Sequence, residues 1–578
     1  MSRTQDPERN SVSTKFWKGG INSFLHPTDI GADEYAWAEN VINRGGIIQT
    51  RPGFELRASV PGNRVQGFAV FTPRNSTTRL LIAVDGEIYR ATWPGFNFVK
   101  IEGPRFNPAS PLINFCECLQ STKRKDDNSI EIIDPVRVVI ISDGENPAWA
   151  YDGVTATKMN PNTPDFQTPI GLWMAWCASR LWIGCGSQVR VSDLGNPTSF
   201  YEDQFLATRS FFELPDIITG MIETANERGL LVFTQRTTTA FQSNIRDRAS
   251  WGATPGFQKQ IFPNIGCDAG RTACNQYGLT YWHSLQGMVS LDAALNTDHS
   301  SKLLAMDNQM MRSKRLLSPD MSQACAATFE NMLLVSVPSG GKYNEQTWVM
   351  DQAPLENILD TASVWTSVWS GLRPVQWASG KIGGHVRLFC ATYDRTPAND
   401  THIHVWEAMR DDRTDAGGRI QCQLQQAVMS DPRTMKFKYA EFEVVEMLGD
   451  VSLKVFVGGT RGPWMPVGEF ELRAEEGSIG GPGQLTLGTD TILRAYKPQS
   501  RTLRTREFNP QRLDCSPEFS GKRPGQDKGF ALLFEWKGRM GLHDVRLVLQ
   551  AAEESDRGKC SPTEAGKTNI VLETGEAV

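Results

Sequence analysis

The chain has 578 residues, of which 40% are hydrophobic, and it is rich in glycine (51), proline (32) and tryptophan (16). This length predicts about two to four domains or one large all-β unit, and the many turn formers favour short strands over long helices. The 60 basic and 65 acidic residues give a formal net charge of −5, which argues against tight non-specific binding of nucleic acid because such binding requires a positive field. A neutral-to-acidic wall would still suit a conduit through which DNA must slide without sticking.

The 11 cysteines are scattered along the chain and show no paired spacing. The polar stretch Met1–Ser13 has no apolar core of a secretory signal, and no apolar run approaches the roughly 20 residues of a membrane helix. Cys116-Glu117-Cys118 lacks the spacing of a zinc knuckle or a thioredoxin motif. We therefore expect a soluble protein with free thiols, made in a reducing cytoplasm and without a membrane span.

The first 60 residues precede the repeating part of the chain. Residues 1–15 are polar and are predicted to be a disordered arm, and residues 16–60 are predicted to be a clasp segment docked on the repeats. Within the clasp, Asp33–Asn40 is predicted to make two helical turns that begin with acidic residues. Gly45-Gly46 suits a two-residue hairpin turn, and the strand after it should end at Pro52, which has no N–H to donate.

A strand–turn–strand pattern then recurs seven times at intervals of roughly 44 to 57 residues, close to the period of four-stranded propeller blades. In most repeats the first strand is almost continuously apolar and the second alternates, which predicts a buried inner strand followed by a half-exposed one. The seven predicted hairpins begin at Arg79, Val136, Arg180, Gly229, Gly278, Met332 and Val386. The sequence therefore predicts an all-β fold with a β-propeller of about six to eight blades over residues 61–411. The charged insertion Thr122–Asn128 is predicted to be an exposed loop.

The pattern changes after about Asp411, and the stretch Arg413–Gly418 is typical of a domain boundary. Residues 412–551 are predicted to form an additional β-sandwich-like module that is packed on the propeller or completes it. Two hairpins are predicted within it, Phe437–Val445 with Val451–Val457 and Gly529–Trp536 with Val545–Gln550. The polar residues 552–578 are predicted to be a flexible tail.

No catalytic motif stands out in the sequence, so we predict no catalytic residues, no metal site, no cofactor and no enzymatic activity. His402 and His404 would share one face of a strand, as metal ligands do, but a third ligand is missing and a surface or edge-strand pair is the favoured interpretation. The turn at Ser142-Asp143-Gly144 matches a sialidase Asp-box only loosely. A pair of glycosidase carboxylates among the 65 acidic residues remains the enzymatic alternative.

Three sequence segments in the first 200 residues resemble the tail nozzle proteins of short-tailed, podovirus-type bacteriophages, which are also called tail tubular protein B or tail hub proteins. The first segment lies between Gly20 and Phe54, the second between Ser142 and Gly153, and the third between Arg180 and Phe200. The positions that carry the resemblance are Gly20, Asn22, Pro27, Asn40, Arg51, Pro52, Gly53, Asp143, Gly144, Asp152, Gly153 and Asp193.

The resemblance implies a structural virion protein located in the phage tail and assembled in the host cytoplasm. Such proteins form a homohexameric ring below the portal and the adaptor, or head–tail connector, and tail fibres or tailspikes attach nearby. The ring lines the DNA-ejection channel and retains the packaged genome, and double-stranded DNA passes through its lumen without specific binding. No active-site residues belong to the family. The alternatives are a trimeric receptor-binding tail protein and a glycan-hydrolysing tail protein.

Overall fold

The computed structural model describes most of the chain, and strand accounts for 63% of it and helix for 4%. The described residues are 9–14, 17–74, 76–125, 129–159, 168–202, 211–225, 229–242, 247–292, 308–341, 343–351, 364–393, 402–409, 413–459, 464–474, 499–505 and 526–551. The predicted all-β fold is confirmed: six small sheets form a six-bladed propeller, and a curled half-barrel sheet accompanies them.

The N-terminal segment contains six strands. They are β1 (Arg9–Thr14), β2 (Gly20–Ile21), β3 (Glu34–Glu39), β4 (Val41–Arg44), β5 (Ile47–Thr50) and β6 (Gly53–Pro61). The predicted helix over Asp33–Asn40 is wrong, because those residues form β3. Residues 1–8 of the predicted disordered arm lie outside the described residues, and Arg9–Thr14 form a strand.

The first three blades follow in chain order. Blade one contains β7 (Val65–Phe71), β8 (Arg79–Val84), β9 (Glu87–Thr92) and β10 (Val99–Arg105). Blade two contains β11 (Asn114–Arg124), β12 (Ile130–Ser142), β13 (Trp149–Tyr151) and β14 (Ala156–Lys158). Blade three contains β15 (Trp173–Cys177), β16 (Arg180–Cys185), β17 (Gln188–Val191) and β18 (Phe211–Glu213).

Blade four contains β19 (Ile218–Glu223), β20 (Leu230–Thr234), β21 (Thr238–Phe241) and β22 (Gln258–Phe262). Blade five has three described strands, β23 (Cys274–Gln276), β24 (Leu279–Ser284) and β25 (Gly287–Asp292). Short helical turns occur at Arg248–Ala253, Gly270–Thr272 and Asn308–Met310, and the last leads into α1 (Met311–Lys314). None of the helices in the described ranges is long and apolar enough to cross a membrane.

The next four strands form a meander that belongs to the large curled sheet. They are β26 (Cys325–Phe329), β27 (Met332–Val337), β28 (Gln346–Asp351) and β29 (Trp365–Ser370). Blade six combines β30 (Gln376–Ile382), β31 (His385–Tyr393) and β32 (His402–Met409) with the N-terminal β6 as its outermost strand. The predicted boundary between residues 60 and 61 therefore falls inside a strand that closes the last blade.

The meander occupies a position in the ring between blades five and six, because β26 contacts both β23 and β30. Hydrophobic clusters fill every interface around this ring. Tyr281 of blade five packs with Leu333 of the meander, and Val60 of blade six packs with Ile82 of blade one. Comparable clusters join the remaining neighbours. Burial between neighbouring blades therefore holds the ring together without a separate central core.

All seven predicted hairpins are confirmed as the second and third strands of their units. The apolar first strand of each hairpin is buried as predicted, but it is not the innermost strand. The innermost strand precedes it in the chain, as β7 precedes β8 in blade one. The second strand is buried on both faces because each face is covered by a neighbouring blade.

The remaining strands complete the large sheet, apart from a small hairpin of β33 (Thr414–Asp415) and β34 (Gly418–Arg419). They are β35 (Gln421–Gln426), β36 (Met429–Gly459), β37 (Met465–Ala474), β38 (Gln499–Arg504) and β39 (Gln526–Ala551). The large sheet runs from β26 through β29, β3, β35, β39 and β36 to β37. An additional C-terminal β module is therefore present, and its form is a curled half-barrel sheet.

The two predicted C-terminal hairpins are wrong. Phe437–Val445 and Val451–Val457 lie in the single strand β36, which pairs with β39 from Phe437 opposite Leu549 to Gly459 opposite Phe530. Gly449 of the predicted Gly449-Asp450 turn and nearby Glu446 have positive φ (68° and 55°), so they kink the long strand without reversing it. Gly529–Trp536 and Val545–Gln550, the second predicted hairpin, likewise lie in the single strand β39. Residues 552–578, the predicted tail, lie outside the described residues.

Candidate functional site

Arg51 is the centre of a buried clasp between the N-terminal segment and the β33–β34 hairpin. Its Nη1 and Nη2 donate to the two carboxylate oxygens of Asp415 at 2.9 and 2.6 Å, and its Nε donates to Oδ1 of Asn40 at 3.0 Å. The guanidinium also lies 5.6 Å from the ring centre of Phe54 and 5.7 Å from that of Trp369. A bidentate, fully buried guanidinium of this kind holds three separate segments in one geometry.

Asn40 extends the clasp to the large sheet. Its backbone has a φ of 56°, a left-handed conformation that asparagine tolerates better than most residues. Its Nδ2 donates to the carbonyl of Gln421 at 2.9 Å, and its Oδ1 accepts from the backbone N–H of Ser370 at 2.9 Å. One side chain thus connects β3, β29 and β35.

Two positions in the first resembling segment must be glycine, because the backbone of another segment comes too close to leave room for a Cβ atom. A Cβ on Gly20 would collide with the carbonyl oxygen of Trp365, and one on Gly53 would collide with the backbone of Thr414. Pro52 lies between the clasp arginine and Gly53, and its carbonyl accepts from Nη1 of Arg51 at 2.9 Å. The Arg-Pro-Gly sequence therefore places the start of β6 directly against the β33–β34 hairpin.

Asn22 and Pro27 anchor the loop between β2 and β3. Nδ2 of Asn22 donates to the carboxylate of Glu34 at 3.1 Å, and the carbonyl of Pro27 accepts from the backbone N–H of Val428 at 2.8 Å. These bonds attach the loop to β3 and to the end of β35. Both positions are structural.

Asp143 organises the turn that follows β12. Its carboxylate accepts from the backbone N–H groups of Glu145, Asn146 and Asn107 at 3.0, 2.7 and 3.1 Å. Burial acts to raise the pKa of Asp143, but the hydrogen bonds from Asn146, Asn107 and Glu145 outweigh it and hold the pKa below its usual range. The next residue, Gly144, has a φ of 75°, which suits glycine.

Asp152 and Gly153 form the turn between β13 and β14. The Asp152 carboxylate accepts from the backbone N–H groups of Val154 and Thr155, both at 2.7 Å. Gly153 has a φ of 100°, and a Cβ there would lie 2.6 Å from the ring of Pro73 in blade one. This turn is therefore a contact point between blades one and two.

Asp193 connects blade three to blade two. Its Oδ2 accepts from Nη2 of Arg124 at 2.7 Å and from Oγ of Ser199 at 2.6 Å, and its Oδ1 accepts from the backbone N–H of Glu202 at 2.8 Å. Arg124 also lies 4.0 Å from the ring centre of Tyr201. The buried carboxylate is thus fully used in holding two blades together.

The structure brings Asn40, Arg51, Pro52 and Gly53 together in the clasp. It leaves Asn22 and Pro27 in the β2–β3 loop and the three aspartates in separate turns of blades two and three. Each of these residues fixes the backbone around it. Together they do not form a catalytic arrangement. Their common property is the joining of segments that are distant in the chain.

Blade two carries an arm that the sequence did not predict. We use the name arm for Leu119–Arg124 of β11 together with Ile130–Arg137 of β12, which pair beyond the body of the blade. The predicted loop over Thr122–Asn128 is wrong for Thr122–Arg124, because these residues pair with Ile130–Ile132 as strand. Four apolar side chains of the arm are exposed to solvent: Ile132 (85%), Ile130 (57%), Leu119 and Val136.

The arm is supported from both sides. The backbone N–H groups of Ser121 and Thr122 donate to the carbonyl of Gly195 in blade three at 2.8 and 3.1 Å. On the other side, Arg74 of blade one pairs with Asp134 at 2.7 Å. Within the described residues, β13 pairs with β12 only at Val139–Ile141, so no strand covers the outer edge of the arm.

A cleft of about 1150 Å³ opens on the opposite face of the propeller. Because successive strands of a blade are antiparallel, the turns between strands one and two lie on one face of the propeller, and the turns between strands two and three lie on the other. The arm belongs to the first of these faces. The cleft residues come from the latter turns and from the loops that lead into β7, β11, β26 and β30. Blade one, blade six and the meander thus build the cleft together.

The cleft has an aromatic and amide lining. The rings of Tyr343 and Tyr393 lie 5.7 Å apart, and burial is the main factor that raises the pKa of Tyr393 above its usual range. Nδ2 of Asn344 donates to the carbonyls of Gln323 and Pro374 at 2.9 and 2.8 Å, so this amide joins two of the loops. The sequence offered no signal for the cleft, because its residues come from six separate loops and turns.

The described residues contain no group of three or more His, Cys, Asp or Glu side chains that could hold a metal ion. His402 and His404 lie half-buried on β32; of the two predicted settings, surface or edge strand, the edge strand does not apply because β6 pairs with β32. Nine cysteines are free thiols, as predicted, and burial raises the pKa of Cys325 to about 11. Cys515 and Cys560 lie outside the described residues.

No protein-family model matches the sequence, and no curated protein matches it. One solved structure whose backbone partly superposes on this chain is a crystal structure described as the extracellular domain of a one component system from B. thetaiotaomicron. Its sequence identity to this chain is 9% and the TM-score is 0.34; the match covers 75% of this chain and 58% of the other. The chain thus spans a little over half the length of that structure, and a likeness at this level carries no argument about function.

Proposed function

We propose that this chain is a structural, non-catalytic virion protein: the tail nozzle or hub of a short-tailed bacteriophage. In this proposal, six copies form a ring that lines the DNA-ejection channel, retains the packaged genome and connects the adaptor to tail fibres or tailspikes. The resemblance of the first 200 residues supports it. The roles of the resembling residues support it further, since Arg51, Asn40 and Asp193 all serve to fix the shape of the molecule.

The arm is the observation that carries the proposal. Exposed apolar side chains that group together on one strand are typical of protein contact sites. Ile130 and Ile132 are such a group, and the uncovered outer edge of β12 offers backbone groups to which a neighbouring chain could bind. A contact between this arm and a different surface of the next copy is heterologous, and heterologous contacts generate closed rings when the rotation closes.

The formal charge agrees with a role as a channel wall. A net charge of −5 provides no general attraction for a polyanion. Double-stranded DNA would therefore pass through the lumen without being held by specific contacts. Retention of the genome would then depend on the width of the channel.

Native mass spectrometry of the protein with its adaptor tests the proposal. The wild-type chain should add the mass of six copies. The double variant Ile130→Asp, Ile132→Asp should remain monomeric with an unchanged melting temperature, because both side chains are exposed in the single chain. The matched control Val154→Asp, at a 73% exposed position on another turn of the same blade, should still form the six-copy complex.

Two results would contradict the proposal. A wild-type protein that stays monomeric in the presence of the adaptor would exclude a hexameric nozzle. A trimer that forms without the adaptor would favour the receptor-binding alternative. If the double variant assembled as well as the wild-type chain, the arm would not be the contact between copies.

A further inference from the structure

The cleft has the features of a built binding site. Five prolines from four loops line it: Pro108, Pro111, Pro319, Pro338 and Pro374. Because proline fixes its own φ, loops that contain it lose little freedom when a ligand binds. A cleft of about 1150 Å³ with such a lining is therefore already formed before any ligand arrives.

A buried polar atom in the cleft wall lacks a partner. Asn344 is 3% exposed, and its Nδ2 is held by two carbonyl groups, but no described residue bonds its Oδ1. Buried amide oxygens in folded proteins nearly always accept a hydrogen bond. Because this oxygen is enclosed, the Asn344 amide serves to hold the cleft wall together through its two carbonyl contacts and does not itself meet a ligand.

The charges of the lining disfavour an anionic ligand. Arg64 is the one basic residue among the described residues of the lining, and its Nη1 already donates to the carbonyl of Ala109 at 2.6 Å. Two carboxylates, Asp85 and Asp320, also line the cleft. Among the described residues of the lining, carboxylates therefore outnumber basic groups, which favours a neutral ligand over phosphate groups, nucleic acid or acidic sugars.

The remaining groups match a neutral sugar. Tyr343 presents an aromatic ring whose flat face can pack against the C–H face of a pyranose. Asp320 and Gln323 provide a carboxylate and an amide group, which accept from and donate to hydroxyl groups. Tyr393, whose ring lies 5.7 Å from that of Tyr343, adds a second aromatic group with a hydroxyl to the lining.

We propose that this cleft binds a neutral oligosaccharide of a cell-surface glycan. The proposal goes beyond the nozzle function, because it assigns a ligand to one face of the propeller while the arm lies on the other. A ring with this arrangement would assemble through one face and contact sugar through the opposite face. Sugar binding in the cleft does not depend on whether six copies assemble.

Saturation-transfer NMR with neutral oligosaccharides tests this inference on the full-length protein. The probes are two- to six-unit chains of glucose, galactose, mannose or N-acetylglucosamine, and a sialylated chain of equal length serves as the anionic comparison. At least one neutral chain should bind. Tyr343→Ala and Asp320→Asn should each weaken that binding at least tenfold, while the sialylated chain should bind at least tenfold more weakly to the wild-type protein.

The matched control is Tyr277→Ala, which removes a similarly exposed tyrosine from the β23–β24 turn, outside the cleft. It should bind as well as the wild-type protein. The inference is overturned if no neutral chain in the panel binds. It is equally overturned if Tyr343→Ala and Tyr277→Ala bind alike, or if the sialylated chain binds more tightly than every neutral one.

Discussion

Single buried polar residues hold together parts of this molecule that are far apart in sequence. Arg51 and Asp415 are separated by 364 positions and still form a bidentate pair. Asn40 reaches Gln421, 381 positions away. Because each of these side chains joins segments that are distant in the sequence, we expect its substitution to destabilise the whole fold and not only its own loop.

Arg51→Lys should lower the stability of the protein by about 2 to 4 kcal/mol, because lysine keeps the charge but loses the bidentate pair with the half-buried Asp415 and leaves the buried Asn40 oxygen without its guanidinium donor. Differential scanning fluorimetry or urea unfolding measures the change. The matched control is Arg419→Lys in the exposed pair with Asp450, where about 0 to 1 kcal/mol is expected. Equal losses in the two variants would mean that the clasp has no special role.

Asp143 should make stability depend on pH at the acidic end. Its pKa in the folded protein lies below its usual value, so its contribution is present above the unfolded pKa and is lost as pH falls through the folded pKa. The melting temperature of Asp143→Asn should therefore be clearly below that of the wild-type protein at pH 7. The difference should shrink near pH 3, and a difference that stayed constant between these pH values would contradict the assignment.

At the scale of elements, the propeller is closed by a strand from the opposite end of the chain. β6 pairs with β32 from Gly53 opposite Met409 to Pro61 opposite His402. Pairing of an N-terminal strand with the last blade keeps the ring from opening and leaves no exposed outer edge on β32. Closure therefore depends on how well β6 packs between blades.

Val60→Asp should prevent closure of the ring, because it places an unpaired carboxylate in the buried interface between blades six and one. We expect a loss of at least about 3 kcal/mol, seen as low soluble yield or a sharply lower melting temperature. Leu56→Asp on the same strand is the control, because Leu56 is 39% exposed. If both variants folded equally well, β6 would not be essential to closure.

Much of the propeller could be predicted from the sequence, because its hairpins are local. The Asp85-Gly86 turn between β8 and β9 is set by neighbouring residues, and continuous apolar runs mark the buried second strands. Period and alternation therefore predicted all seven hairpins. They could not identify the innermost strands, whose position depends on packing around the ring.

The errors fall where tertiary contacts override local preference. Glu34–Glu39 has the composition of a short helix, but parallel pairing with β2 and antiparallel pairing with β35 extend it into a strand. β36 has a turn-like Gly449, but pairing with β39 on both sides of it, at Leu448 and from Ser452 onward, keeps it in one strand. The cleft could not be predicted because no local pattern marks residues that come together from several loops.

At the scale of the whole molecule, the two faces of the propeller carry different features. One face has the supported arm with exposed Ile130 and Ile132, and the other has the rigid cleft with Tyr343 and Asn344. A curled sheet joins the meander to both termini of the described chain, through β1 and β39.

We propose that six copies of this chain form a channel at the end of a phage tail. Cryo-electron microscopy of the purified protein with its adaptor can test this proposal. We expect a six-fold ring that extends the axis of the adaptor, with the arm of each copy against the next. Single chains without symmetry, or a three-fold assembly that does not engage the adaptor, would contradict it.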